Sequence, residues 1–256
     1  MGAAGPDAYL IGVTEGNSVL DAARAARNIP ATSAGNRLLL WGHSQGGQAA
    51  LFAAERAPGY APELSLAGVA VAAPAADLGA LLNSDIGDVS GVTIASYAFH
   101  AYASVYGPST PGARLDTILT PAGAAQTDAM AAMCLGGQHF PLHALARPLI
   151  GNYLAHDPGT TEPWKTLLAA NTPGSVKLTV PLFVAQGESD ALVHPESTRA
   201  FAEHECRMGS AVTYLSIPDT GHGLVALRAL PTLMPWFRDA LGGTAPGAAS
   251  ALCASN

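Results

Sequence analysis

Apolar positions along this chain follow two alternating rhythms: short unbroken runs, and longer stretches in which they recur at helical spacing. The short runs are 38–41 (Leu-Leu-Leu-Trp), 66–73 (stopped by Pro74), 179–186 and 211–217. All four are read as strands, and 66–73 suits one buried on both faces, as in parallel sheets. Helices are predicted between them. In 17–28, Val19, Ala22, Ala23 and Ala26 share one face, with Ser18 and Asp21 placed like a capping box. A second helix runs over 45–56 and ends near Pro58, and a third over 195–208 is stopped by Gly209. A last one covers 223–241, with interruptions expected around Pro231 and Pro235. The opening 2–7 reads as loop, and the small polar tail beyond Gly242 as mobile. Strands alternating with helices predict an α/β fold, a parallel sheet covered on both sides.

Residues 76–175 break this rhythm. Short Ala-rich helical patterns are cut repeatedly by Gly-Pro, Pro-Gly and Gly-Gly pairs, such as Gly107-Pro108, Pro111-Gly112 and Gly136-Gly137. The expected organisation is therefore a core of 1–75 and 176–256 with 76–175 inserted between its halves. At 256 residues the chain is long enough to bury a substantial core. Charged residues make up only 12% and the formal net charge is −7, with no basic cluster, which excludes a nucleic-acid or anionic-surface binder. The most apolar helix, 89–106, carries Ser90, Ser96, His100 and Ser104 and reads as buried rather than membrane-spanning. No basic-then-apolar leader opens the chain, so no signal peptide is read there. Cys134, Cys206 and Cys253 fit either idle thiols or one disulfide with one thiol left over, and no spacing of Cys and His suggests a metal.

The chemistry begins at Gly42-His43-Ser44-Gln45-Gly46-Gly47, which lies between a predicted strand and a predicted helix. A G-x-S-x-G sequence in that context reads as a nucleophile elbow. Gly42 and Gly46 are read as the residues that make room for the turn. Ser44 would stand at the carboxyl end of its strand, with the first amides of the helix, Gln45 foremost, facing a developing oxyanion. A serine hydroxyl needs a base to take its proton and a third group to orient that base. Asp190, after the strand ending at 186, and His222, in a glycine-flanked loop after the strand ending at 217, supply both at the same edge of the sheet. Glu188 is the nearest rival acid, and Asp219 reads as a turn former. His43 is expected to pack under the turn. His100, His139, His143, His156, His194 and His204 are given structural or surface roles.

Those residues, with Val184-Ala185-Gln186-Gly187-Glu188-Ser189-Asp190 and Gly221-His222-Gly223, carry a resemblance. The chain resembles the α/β-hydrolases of the secretory lipase/esterase family, the bacterial relatives of the fungal lipase A type. Softer matches are 8–12 and Thr161-Glu162-Pro163-Trp164. The resemblance implies an α/β-hydrolase fold with 76–175 as a helical lid. It further implies hydrolysis of a carboxylic ester through an acyl-enzyme, with Ser44 as nucleophile, His222 as general base then acid, Asp190 orienting His222, and the Gln45 amide as an oxyanion donor. It implies no cofactor, a small ester or lipid as substrate, and an exported protein. Family members carry further amino-terminal strands and a second oxyanion amide, so the chain is expected to be a shortened hydrolase. The strand 38–41 would then have an open edge, covered by the first residues or by a second copy in a homodimer. A weak or inactive hydrolase serving as a binding module, and an acyltransferase or amidase with the same triad, are the alternatives. The aromatics of the insertion (Tyr97, Phe99, Tyr102, Tyr106, Phe140, Tyr153, Trp164) either line an apolar pocket or fill the insertion's own core.

Overall fold

A computed structural model describes residues 6–243 and 251–254. Two compact units make up the chain: one contains Met1–Ile11 and Leu78–Asn171, the other Gly12–Asp77 and Thr172–Asn256. The second unit runs α1 (Gly12–Arg27), β1 (Arg37–His43), α2 (Gln45–Tyr60), β2 (Ser65–Ala72), β3 (Leu182–Gly187), α8 (Pro195–Met208), β4 (Val212–Ile217), α9 (His222–Gly242) and α10 (Ala251–Ala254). The first contributes α3 (Leu78–Asp85), α4 (Val89–Tyr106), α5 (Pro121–Ala131), α6 (Leu135–Ala146) and α7 (Trp164–Ala170) between β2 and β3.

All four predicted strands form, in one parallel sheet of order β1-β2-β3-β4. This is the parallel α/β sheet expected from the alternation of runs, and it fits the α/β-hydrolase fold that the resemblance implies. β3 is buried along its whole length and β2 over its last five residues, which is why neither shows polar alternation. Among the described residues β1 and β4 are the outer strands. On one face a core of Leu20, Leu40, Leu51, Val69, Val71, Val184 and Phe201 joins α1, α2 and α8 to the sheet. On α9, Val225, Ala229, Leu233, Trp236 and Ala240 are buried at helical spacing, and Trp236 meets Phe183 of β3.

Three local expectations need correction. α1 begins at Gly12, not at Asn17, and the Ser18 hydroxyl donates to Thr14 O within the helix rather than capping it. Its buried stripe is Gly12, Gly16 and Leu20. A Cβ on Gly16 would lie 2.8 Å from the Ala53 backbone, so α1 meets α2 through residues that carry no apolar signal. α2 continues through Pro58 to Tyr60. α9 likewise continues through Pro231 and Pro235. Both prolines lie on its exposed side, as does Leu227, so the carbonyls of Leu227 and Pro231 that lose their donors can turn to water. No helix among the described residues is long and apolar enough to cross a membrane. The expected mobile tail lies outside the described residues, apart from Gly243 and 251–254.

The helical unit has its own core. Phe99, Tyr102, Tyr153 and Trp164 are all fully buried, with Phe99 edge-on to Trp164 at 5.4 Å and stacked near Tyr153 at 6.4 Å. Their polar ends are paired inside the same unit: Trp164 Nε1 donates to Thr117 Oγ1, Tyr153 OH meets Thr127 Oγ1, and Tyr102 OH donates to Leu10 O. The last bond ties residues before α1 to this unit. Of the aromatics, only Phe140 stands well exposed, at 78%. The larger rings therefore fill the unit's interior.

Cys206 on α8 bonds Cys253 on α10, and Cys134 is left free and exposed. The crosslink closes a loop with a sequence separation of 47. By chain entropy, loss of such a loop costs about 2–4 kcal/mol. Cys253→Ser is expected to lower the unfolding free energy by that amount, read as a lower denaturant midpoint with a slope no smaller than the wild type's. A reducing agent should bring the wild type to the same midpoint and leave the variant where it is.

Candidate active site

β1 ends at His43, α2 begins at Gln45, and Ser44 joins them at φ 57°, ψ −121°. That is positive-φ strain in a residue with a Cβ, held by its surroundings. Ser44 N donates to Ala72 O at the end of β2. Ser44 O accepts from the amides of Gly47, Gln48 and Ala75. The turn is thus pinned to two strands and to its own helix. A Cβ on Gly42 would lie 1.9 Å from Gly46 O, so glycine is required there. Gly46, expected to be the second such residue, has open space around its Cβ position. Gly47 is the crowded one, 2.8 Å from Pro74. The sequence shows two adjacent glycines, and only the packing of Pro74 tells which one matters.

Gln45 occupies the first helical position of α2, where backbone amides have no partner within the helix. Its side chain is drawn elsewhere, Nε2 donating to Glu15 Oε1 at 2.5 Å. The amide is thus the part of Gln45 free to face an anion beside Ser44.

Asp190 follows β3 in a turn and is 4% exposed. Its Oδ1 accepts from the amides of Leu192 and Val193, both at 2.9 Å. Its Oδ2 meets His222 Nδ1 at 2.9 Å. Burial pushes the carboxyl up, but the bonds from His222 and the two amides outweigh it and hold Asp190 below its ordinary value. As an ionised carboxylate, Asp190 can only accept, so Nδ1 of His222 carries the proton between them and Nε2 is left facing away from Asp190. His222 is the first residue of α9 rather than a loop residue. The two loops are stitched together: Ser189 N donates to Thr220 O, and Glu188 N to Ile217 O. Glu188 itself accepts from Ser216 Oγ, and its carboxylate is taken up there. Asp219, at φ 50°, occupies the turn after β4, and its carbonyl accepts from Arg228. Among the described residues no group of three or more His, Cys, Asp or Glu is placed to hold a metal.

The family model for secretory lipases matches residues 3–249. The chain belongs to the secretory lipase family. Solved structures agree on the fold of this family member. Candida antarctica lipase A in its closed state superposes with a TM-score of 0.75 at 19% identity, covering 94% of this chain and 57% of that one. The rice cell wall degrading esterase LipA from Xanthomonas oryzae gives 0.71 at 19% identity, covering 93% of this chain and 67% of that one. A Mycobacterium tuberculosis protein called "Probable inactive lipase" is 44% identical over 70 residues, which amount to 25% of this chain and 15% of that protein. The chain thus spans little more than half of lipase A and a small part of the mycobacterial protein.

Two residues of this secretory lipase site escape sequence reading. The His43 ring lies 4.5 Å from that of His222, tilted by 38°. Burial, followed by the nearby His222, lowers its proton affinity and keeps it neutral. Its ring thus packs beside the His222 imidazole. Gln186, at the end of β3, is fully buried against the Asp190 turn. Its place inside an apolar run gave the only signal: a polar residue in a buried strand end needs partners.

Proposed function

We propose that this protein hydrolyses carboxylic esters through an acyl-enzyme, with Ser44 as nucleophile, His222 as general base and acid, and Asp190 as orienting acid. The observation that carries this reading is the buried Asp190–His222 bond of 2.9 Å, formed in the same unit as a serine in a strained strand–helix turn. His222 Nε2 takes the Ser44 proton as Oγ attacks the ester carbonyl. The resulting oxyanion is met by the Gln45 amide. Collapse of the intermediate expels the alcohol, which leaves with the proton from His222. Water, deprotonated by the same nitrogen, then attacks the acyl-Ser44 carbonyl and releases the acid. Residues Leu78–Asn171, a helical unit inserted in the chain between β2 and β3, serve in this reading as the lid.

The names of the solved relatives, a lipase and a cell-wall-degrading esterase, support esters as the substrate class. Hydrolysis of p-nitrophenyl esters from acetate to palmitate tests the reading. Turnover above the uncatalysed rate is expected, with a chain-length optimum that reports the size of the acyl site. A second reading, a silent family member that binds without turnover, is favoured by the name of the mycobacterial relative. A folded wild type with no turnover on any ester of the series would select it.

A further inference from the structure

The two N–H groups of Gln186 Nε2 face three oxygens: Val193 O at 2.9 Å and Gly187 O at 3.0 Å, with Asp190 Oδ2 as a longer, shared contact at 3.4 Å. All three neighbours are acceptors, so the amide can face them only with its nitrogen. Its Oε1 is buried and has no hydrogen-bond partner among the described residues, an arrangement that costs stability and needs a compensating role. The partners identify that role. Gly187 and Val193 bracket the Asp190 turn, and Oδ2 is the oxygen that holds His222. The amides of Leu192 and Val193 hold Oδ1, so on the Oδ2 side the carboxylate is held by His222 and by the longer contact from Gln186.

We propose that Gln186 is a positioning residue, fixing the Asp190 turn and the Oδ2 atom so that His222 is aimed at Ser44. The inference rests on the triad reading above. Two other titratable groups lie nearby. His43 flanks the far partner His222, and Glu188 is bonded to Ser216. Gln186 approaches Oδ2 from the end of β3.

Two substitutions test it. Gln186→Leu keeps the volume and removes the donor. Its kcat is expected to fall about 10- to 100-fold at unchanged KM, because misaimed catalytic groups cost rates of that order. Gln186→Glu places a carboxyl against three oxygens. Only its protonated form can donate, and burial beside Asp190 raises its titration toward neutrality. Its kcat/KM should therefore gain a basic limb absent from the wild type, with activity lost as pH rises while thermal melts show a folded protein. A purely space-filling role would produce no such limb. A Gln186→Leu kcat within twofold of wild type, or a Gln186→Glu profile that superposes on it, overturns the proposal; if one variant does not fold, the other decides. The low-field proton resonance of His222 Nδ1 reports the Asp190–His222 bond without turnover. Movement or broadening in Gln186→Leu supports the proposal and an unchanged line defeats it. A wild type that keeps this resonance yet cleaves no ester sinks the triad reading and leaves the positioning role standing.

Discussion

Ser44→Ala is expected to lower ester turnover on the order of 10⁴- to 10⁶-fold while leaving the melting temperature within about a degree. The two halves of that expectation have separate causes. Turnover falls because, in the proposed mechanism, Oγ is the atom that bonds the acyl group. Stability is kept because the turn is held by backbone: Ser44 N to Ala72 O, and Ser44 O to the amides of Gly47, Gln48 and Ala75. Alanine keeps every one of these and meets the same positive-φ constraint as serine. His222→Ala should cost about as much, and the double variant little more, because residues acting as one unit do not contribute additively. Stopped assays on a p-nitrophenyl ester, with melts alongside, check both halves. Equal turnover in wild type and Ser44→Ala would end the nucleophile assignment.

Asp190→Asn is the second large effect, and its sign follows from donors and acceptors. An asparagine oxygen can still accept from Leu192 and Val193. Its amide group would then occupy the Oδ2 position, facing Nδ1–H of His222 and Nε2 of Gln186, donor against donors. His222 escapes by moving its proton to Nε2, the wrong tautomer for a base. A loss of about 10⁴ in kcat is expected, the magnitude known for this change of tautomer in serine hydrolysis. Stability shifts in a pH-dependent way. The Asp190 carboxyl is held below its ordinary value, so its ionised form stabilises the fold above the usual carboxylate range, and that contribution disappears as pH falls through its folded value. The variant never has it. Wild type should exceed Asp190→Asn in denaturant midpoint at neutral pH and converge on it in acid. A gap of constant size across that range would show that folding does not lower the Asp190 carboxyl.

The sequence by itself determined the sheet. Four apolar runs became four parallel strands; β2 and β3 show no polar alternation because they are buried, while β1 and β4 are only partly buried. It also determined the candidates for the site, since chain order, the ends of strands and a serine between strand and helix can all be read along one dimension. Tertiary structure alone decided what depends on a neighbour distant in sequence. Gly47 rather than Gly46 is the crowded glycine because Pro74 lies against it. Helix α1 starts early because its buried stripe is glycine fitted to α2. Prolines 231 and 235 leave α9 whole because they face outward. Cys206 pairs with Cys253 because α10 lies on α8. The insertion's aromatics face one another, a choice that periodicity cannot make for short helices cut by proline and glycine. His43 and Gln186 belong to the site only because β1 and β3 end beside α9 and the Asp190 turn, which brings an ordinary histidine and glutamine to the atoms that hold the proton.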